Sequence, residues 1–325
     1  MLRTLEDKQA GIYALAILAG IPAGLLAPGA GGSLEAWIEP ALAVLLYGMF
    51  SQIPFLGFRE AVSKGRFTAA LLALNFAVVP AVVWVLTRFL PDSEPLLIGV
   101  VLVLLTPCID YVVAFTRLGR GDPALMLAST PLLLAVQMLL LPVYLGLFLG
   151  PGAAGVMSAG PFVRAFVLLI AVPLTLAVLT QHRARNMEIA EKWLGLTAWI
   201  PVPAMALVLF VIPASQAGII REHLGVILYA VPVYIAYVAV SLLAGRVVAG
   251  LFRLGTRESR TLVFSGLTRN SLVVLPLALA LPGELRYAAA AVVVTQTIIE
   301  LAAELVSIRL VPSLVVPAPE ESGPA

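Results

Sequence analysis

The chain has 325 residues, 61% of them hydrophobic and 12% charged, with a mean hydropathy of +1.04. A soluble domain carries about a quarter charged residues, so half that share leaves too little polar surface to face water. High hydrophobicity with a net charge of +2 excludes a disordered chain and gives no nucleic-acid footprint, and a single cysteine excludes an intramolecular disulfide or a multi-thiolate metal site. An all-α polytopic membrane protein remains.

Apolar runs of about 20 residues fall in ten places along the chain. They are Gly11 to Pro28, Ala36 to Phe55, Phe67 to Phe89, Pro95 to Thr116, Pro123 to Gly150, Pro161 to Thr180, Trp193 to Ile212, Leu224 to Gly245, Thr261 to Leu281 and Tyr287 to Val311. The first is read as a span and not a cleavable signal, because it is long, follows Glu6 and Asp7, and precedes nine similar runs. Of the 20 lysines and arginines, fifteen fall in the even-numbered connections and the two tails, four on the other side, and Arg269 inside span nine. Positive charge marks the cytoplasmic side, which predicts a multi-pass cell-membrane protein with both termini in the cytoplasm.

Ten spans divide into five and five. A duplicated unit of five enters the membrane from opposite sides in its two copies, so the expected architecture is two inverted five-helix repeats, about 9–150 and about 161–311. Together they form one transmembrane domain, with a disordered tail over about 314–325. Corresponding fourth spans carry matching interruptions. Span four has Thr106-Pro107-Cys108-Ile109-Asp110, and span nine has Thr268-Arg269-Asn270-Ser271 with Pro276 following. Proline removes a helical hydrogen bond, so Pro107 and Pro276 predict broken helices whose freed backbone groups meet at a binding site between the repeats.

Polar residues inside the spans are few: Asn75, Cys108, Asp110, Ser129, Thr130, Gln137, Arg269, Asn270, Ser271, Thr295, Gln296, Thr297, Glu300 and Glu304. A charge at bilayer depth costs a few kcal/mol unless paired or hydrated, which singles out Asp110, Arg269 and Glu300. Asp110 and Arg269 fit either a structural ion pair joining spans four and nine or a functional pair that exchanges partners. Gln296, Glu300 and Glu304 recur every four residues on one helical stripe. Glu300 lies deep enough to carry a proton or a cation, whereas Glu304 is expected near the end of its helix, reaching water. Arg269, Asn270 and Ser271 are candidate substrate contacts, and Asp110, Glu300 and Gln296 candidate ion-coupling groups. Cys108 would face a cavity if its helix is broken at Pro107; a buried apolar role is the alternative.

Other patterns point to structure. Gly119-Arg120-Gly121-Asp122 lacks any phosphate-loop context and reads as a turn between spans. His182 and His223 fall in connections and form no metal motif. An intramembrane aspartyl protease would need two membrane aspartates, and only Asp110 qualifies. No cofactor is implied; a receptor that moves nothing is the remaining non-transport reading.

The run Thr106-Pro107-Cys108-Ile109-Asp110-Tyr111-Val112-Val113-Ala114-Phe115-Thr116-Arg117-Leu118-Gly119-Arg120-Gly121-Asp122 resembles the fourth helix of the arsenite permeases of arsenical resistance. Those proteins fall within the bile acid/sodium symporter superfamily. Leu74-Asn75-Phe76 with Pro80 is similar to their third helix, and Glu300 aligns with a glutamate in their tenth. The resemblance implies ten helices in inverted halves, a secondary transporter, and a metalloid substrate touched by Cys108. Arsenite and antimonite are thiophilic, and one thiol is a transient ligand where several would be a trap. Helix nine departs from both branches. Arg269-Asn270-Ser271-Leu272 stands where the permeases have Asn-Asn-Phe-Glu, and Ser265 and Arg269 stand where the symporters have glutamate and glutamine. The leading expectation is therefore arsenite efflux in exchange for protons, a panel of spans moving against a core that holds spans four and nine. The alternative is a sodium- or proton-coupled transporter of a small organic anion, for which Arg269 would supply the charge.

Overall fold

The structure is a computed structural model, and it describes residues 9–26, 34, 37–52, 64–109, 112–150, 167–222, 224–283 and 285–315. Asp110, His223, the opening residues 161–166 of span six and the tail from 316 onward lie outside the described residues.

The described residues are helical, without a strand: α1 (Gln9–Leu26), α2 (Ile38–Gln52), α3 (Gly65–Thr87), α4 (Glu94–Leu104), α5 (Val112–Leu118), α6 (Pro123–Leu149), α7 (Val172–Ala184), α8 (Glu188–Thr197), α9 (Pro201–Glu222), α10 (Leu224–Leu251), α11 (Thr256–Leu267), α12 (Ser271–Leu279) and α13 (Leu285–Leu314). Four of these segments are long and apolar enough to cross a membrane, namely α3, α6, Ile227–Leu251 of α10, and α13. The pair Glu188–Thr197 and Pro201–Val211, bent by 41°, counts as a fifth if taken as one span. Hydropathy smooths over this bend. Trp193 to Ile212 reads as one run, but Pro201 cannot donate backward into the preceding turn, so α8 ends and α9 begins in a new direction.

Interior prolines are tolerated where a neighbour supplies the missing donor. Pro80 of α3 has no N–H for the carbonyl of Phe76, one turn earlier. The hydroxyl of Tyr144 on α6 donates to that carbonyl instead, at 2.6 Å. The same stretch, Leu74–Val78, widens into a π turn. The turn after α5 behaves as the sequence suggests. Gly121 N–H closes on Thr116 O at 2.8 Å, and the Asp122 carboxylate caps α6 by accepting from Leu125 N–H at 3.1 Å.

The helices pack in two groups. In one, α9 lies against α1 and α2, while α7 lies against α2 and α8. In the other, α13 packs on α4, α10 and α12, and α10 packs on α11 and α3. Contacts between the groups are sparser and run through α9 against α10 and α13, and through α2 against α12. Close approach inside the second group depends on a small residue: a Cβ on Gly99 of α4 would lie 2.7 Å from Val292 Cγ1 and 2.9 Å from the Ala289 carbonyl of α13.

Candidate functional site

Two interrupted helices cross at their gaps. One gap separates α4 from α5, and the other, Thr268 to Asn270, separates α11 from α12. The gaps pair as a two-stranded antiparallel bridge between Pro107 and Arg269. Cys108 N–H donates to Thr268 O at 3.1 Å, and Asn270 N–H donates to Thr106 O at 2.8 Å. Backbone groups freed by each break therefore satisfy those of the other, as a water-poor interior demands. The Thr106 hydroxyl gives its one proton back to its own helix, where Leu102 O and Val103 O both lie 3.0 Å away. Its backbone neighbour Pro107 lies in the gap as expected. Pro276 does not: it lies inside α12, past the first turn, and the break falls earlier. There Thr268 turns to extended backbone, and Asn270 restarts the helix by accepting from Val273 N–H at 3.1 Å. An asparagine cap sets the break here, and proline merely follows it.

Arg269 is among the largest fully buried side chains. Its Nη2 donates to Asn75 Oδ1 at 2.8 Å, to Gly266 O at 2.9 Å and to Ser265 O, and its Nη1 reaches Leu104 O at 3.5 Å. Ser265 and Gly266 are in the last turn of α11 and Leu104 ends α4. The guanidinium thus rests where the negative carbonyl ends of two helices converge, which compensates for burying its charge. Tyr237 of α10 places its ring 5.8 Å from the guanidinium carbon and donates its hydroxyl to Gly266 O at 2.7 Å. Asn75, in the π turn of α3, also donates to Ser265 Oγ and to Leu71 O, each at 3.0 Å.

Helix α13 braces the second gap from its stripe of polar residues. Glu300 accepts from Arg269 N–H at 2.7 Å and from the Gln296 amide, and the hydroxyls of Thr297 and Ser271 are bonded at 2.6 Å. Glu304 corrects the expectation that it reaches water. It is 0% exposed and bonded to the Thr268 hydroxyl at 2.6 Å. Its helix ends at Leu314, close to the expected end, but at Glu304 the helix is packed against the Thr268 gap and the side chain does not reach the surface.

The structure thus brings Cys108, Arg269, Asn270, Ser271, Gln296 and Glu300 together around one crossing, all of them buried. Asp110 falls outside the described residues, so the Asp110–Arg269 pairing expected from sequence has no geometry here. Asn270 Nδ2 and Gln296 Oε1 are buried polar atoms without a hydrogen-bond partner among the described residues. Such atoms call for water or a ligand. Among the described residues no cluster of His, Cys, Asp and Glu could hold a metal ion. Sequence reasoning gave no role to Thr106, Ser265, Thr268 or Tyr237. Their signal is weak because a threonine, serine or tyrosine in an apolar run more often bonds to its own helix or reaches a membrane surface.

Apolar membrane-length helices and two broken helices joined at their gaps define the class, an α-helical multi-pass membrane protein. The chain belongs to the Sodium Bile acid symporter family, whose family model matches residues 39–223. Members of that family are transporters. The matched stretch takes in α4, α5 and Cys108 and stops before α11 to α13. No curated protein matches the chain.

Proposed function

We propose that the protein is a secondary active transporter of the cell membrane that extrudes arsenite or antimonite in exchange for protons, with ten spans in two inverted halves and both termini cytoplasmic. The observation that carries this reading is the position of Cys108. Cys108 lies in the gap between α4 and α5, next to the residue that bridges to the second broken helix. Alternating access works by exposing such a crossing to one face and then the other.

Neutral arsenous acid presents three hydroxyls and a thiophilic centre. Cys108 supplies one soft, transient ligand, while Asn270 Nδ2 and Gln296 Oε1 are available to its hydroxyls. Ser271 is a further hydroxyl at the start of α12. Glu300 and Asp110 are the proton-exchanging groups in this reading. Release is easy because a single thiolate holds arsenic weakly. The organic-anion alternative has less support: it needs the Arg269 fork for a carboxylate, and that fork points at Asn75 and the ends of α11 and α4.

Everted vesicles carrying the protein should accumulate arsenite when a proton gradient is imposed, and Cys108→Ala should abolish that uptake. Uptake by Cys108→Ala vesicles at the wild-type rate overturns the proposal. Gradient-driven uptake of small carboxylates without any arsenite uptake would establish the anion reading in its place.

A further inference from the structure

Glu304 is fully buried, and its surroundings count protons. Thr268 Oγ1 stands 2.7 Å from Phe264 O and 2.6 Å from Glu304 Oε1. A threonine hydroxyl owns one proton and cannot donate to both. Returning that proton to the carbonyl four residues back is the common habit of threonine in a helix. The short contact with Glu304 then requires a proton on the carboxyl. A protonated Glu304 donates to Thr268 Oγ1, which donates to Phe264 O, and every short contact holds one hydrogen. The other carboxyl oxygen, Oε2, has no hydrogen-bond partner among the described residues. That is tolerable for the carbonyl oxygen of a neutral acid and costly for half of a carboxylate.

The charged and titratable neighbours are engaged elsewhere. Glu300, one turn earlier on α13, accepts from Arg269 N–H and Gln296. The Arg269 guanidinium, from the gap, is directed to Asn75 and the carbonyls of α11. Tyr237, from α10, donates to Gly266 O. Arg260, on α11, donates to Val315 O at 2.9 Å and to Pro312 O at 3.3 Å. Cys108, from the α4–α5 gap, meets Thr268 through its backbone N–H.

We infer that Glu304 is a proton-binding site of this protein, neutral in the closed conformation and giving its proton to water when the gap between α11 and α12 opens. It differs from Glu300, whose carboxylate is held by a backbone N–H and an amide, both pure donors suited to an ionised oxygen. Loss of the Glu304 proton removes the donor to Thr268 and leaves two acceptors on one hydroxyl. The strain falls on the residue that turns α11 into the break, so proton occupancy and gap geometry are linked. The inference rests on the transport reading only for its effect on flux; proton occupancy itself needs no substrate.

The test uses the purified full-length protein in lipid. Infrared spectra report the carbonyl stretch of protonated carboxylic acids. Glu304→Gln should lose one such band while keeping the wild-type melting temperature, because the amide donates to Thr268 Oγ1 as the acid did. Thr268→Ala should keep the band but shift its frequency, since the acid loses its acceptor. In vesicles that transport arsenite, Glu304→Gln should lose proton-driven uptake. The inference is overturned if the band survives unchanged in both variants, or if Glu304→Gln melts well below wild type while Thr268→Ala leaves the band unmoved. Wild-type protein that moves no arsenite would sink the proposed substrate and leave the infrared result to decide this inference.

Discussion

Arg269 shows how a full positive charge is kept inside an apolar molecule. Its donors go to an amide and to carbonyls at the ends of two helices, so cation and carbonyl ends stabilise each other. Removing the charge should therefore hurt twice. Arg269→Met leaves Asn75 Oδ1 and the Ser265 carbonyl without the donor they have here, while Gly266 O keeps the Tyr237 hydroxyl, with an expected loss of about 3 kcal/mol. Arg269→Lys keeps the charge but offers one nitrogen where a fork is needed, and should recover only part of that loss. Thermal melts of the three purified proteins check the order wild type, Lys, Met. Equal melting of wild type and Arg269→Met would mean that the guanidinium is not what holds the two helix ends together. A charge in an apolar run is easy to see in sequence, as Arg269 and Glu300 were. The partners of Arg269 were not visible, because Asn75 and Ser265 are ordinary polar residues until a π turn and a helix end aim them at it.

At the scale of elements, the crossing depends on how tightly α4 lies on α13. Gly99→Ala places a methyl 2.7 Å from Val292 Cγ1, and should destabilise by about 1–3 kcal/mol through overpacking. Gly146 of α6 has open space around its Cβ position, so Gly146→Ala should be neutral or stabilising by up to about 1 kcal/mol from helix propensity alone. Comparing the two melting temperatures separates packing from propensity, and equal shifts would mean that α4 and α13 are not in close contact. Hydropathy marked most of these helices because burial in lipid and burial in protein demand the same side chains. It did not mark the break between α8 and α9, since both flanks are apolar, and it misplaced the cause of the α11–α12 break. Pro276 is conspicuous in sequence, but the chain turns at Thr268 and restarts on the Asn270 cap. The α4–α5 gap was legible because Pro107 and the polar residues beside it coincide.

At the scale of the whole molecule, the sparse contact between the two helix groups is where movement costs least. The groups meet through α9 and α2 on one side and α10, α12 and α13 on the other, and α12 begins at the crossing. A shift of one group against the other would open the gaps without unpacking either interior, in the manner of rigid-body alternation around a fixed site. The chain supplies its own reporter of that shift. Cys108 is its single cysteine and is 0% exposed in this structure. A maleimide should therefore label the protein only through conformations that open the crossing. Under the proposed exchange of arsenite for protons, labelling should be slow at rest and speed up under an imposed proton gradient, and arsenite should slow it by occupying the thiol. A membrane-impermeant maleimide applied to intact cells and to everted vesicles should reach Cys108 from both faces, because alternation requires each face to see the crossing in turn. Labelling from one face alone, under every gradient tried, would leave a protein that opens but does not alternate, and would remove transport through this crossing as its activity.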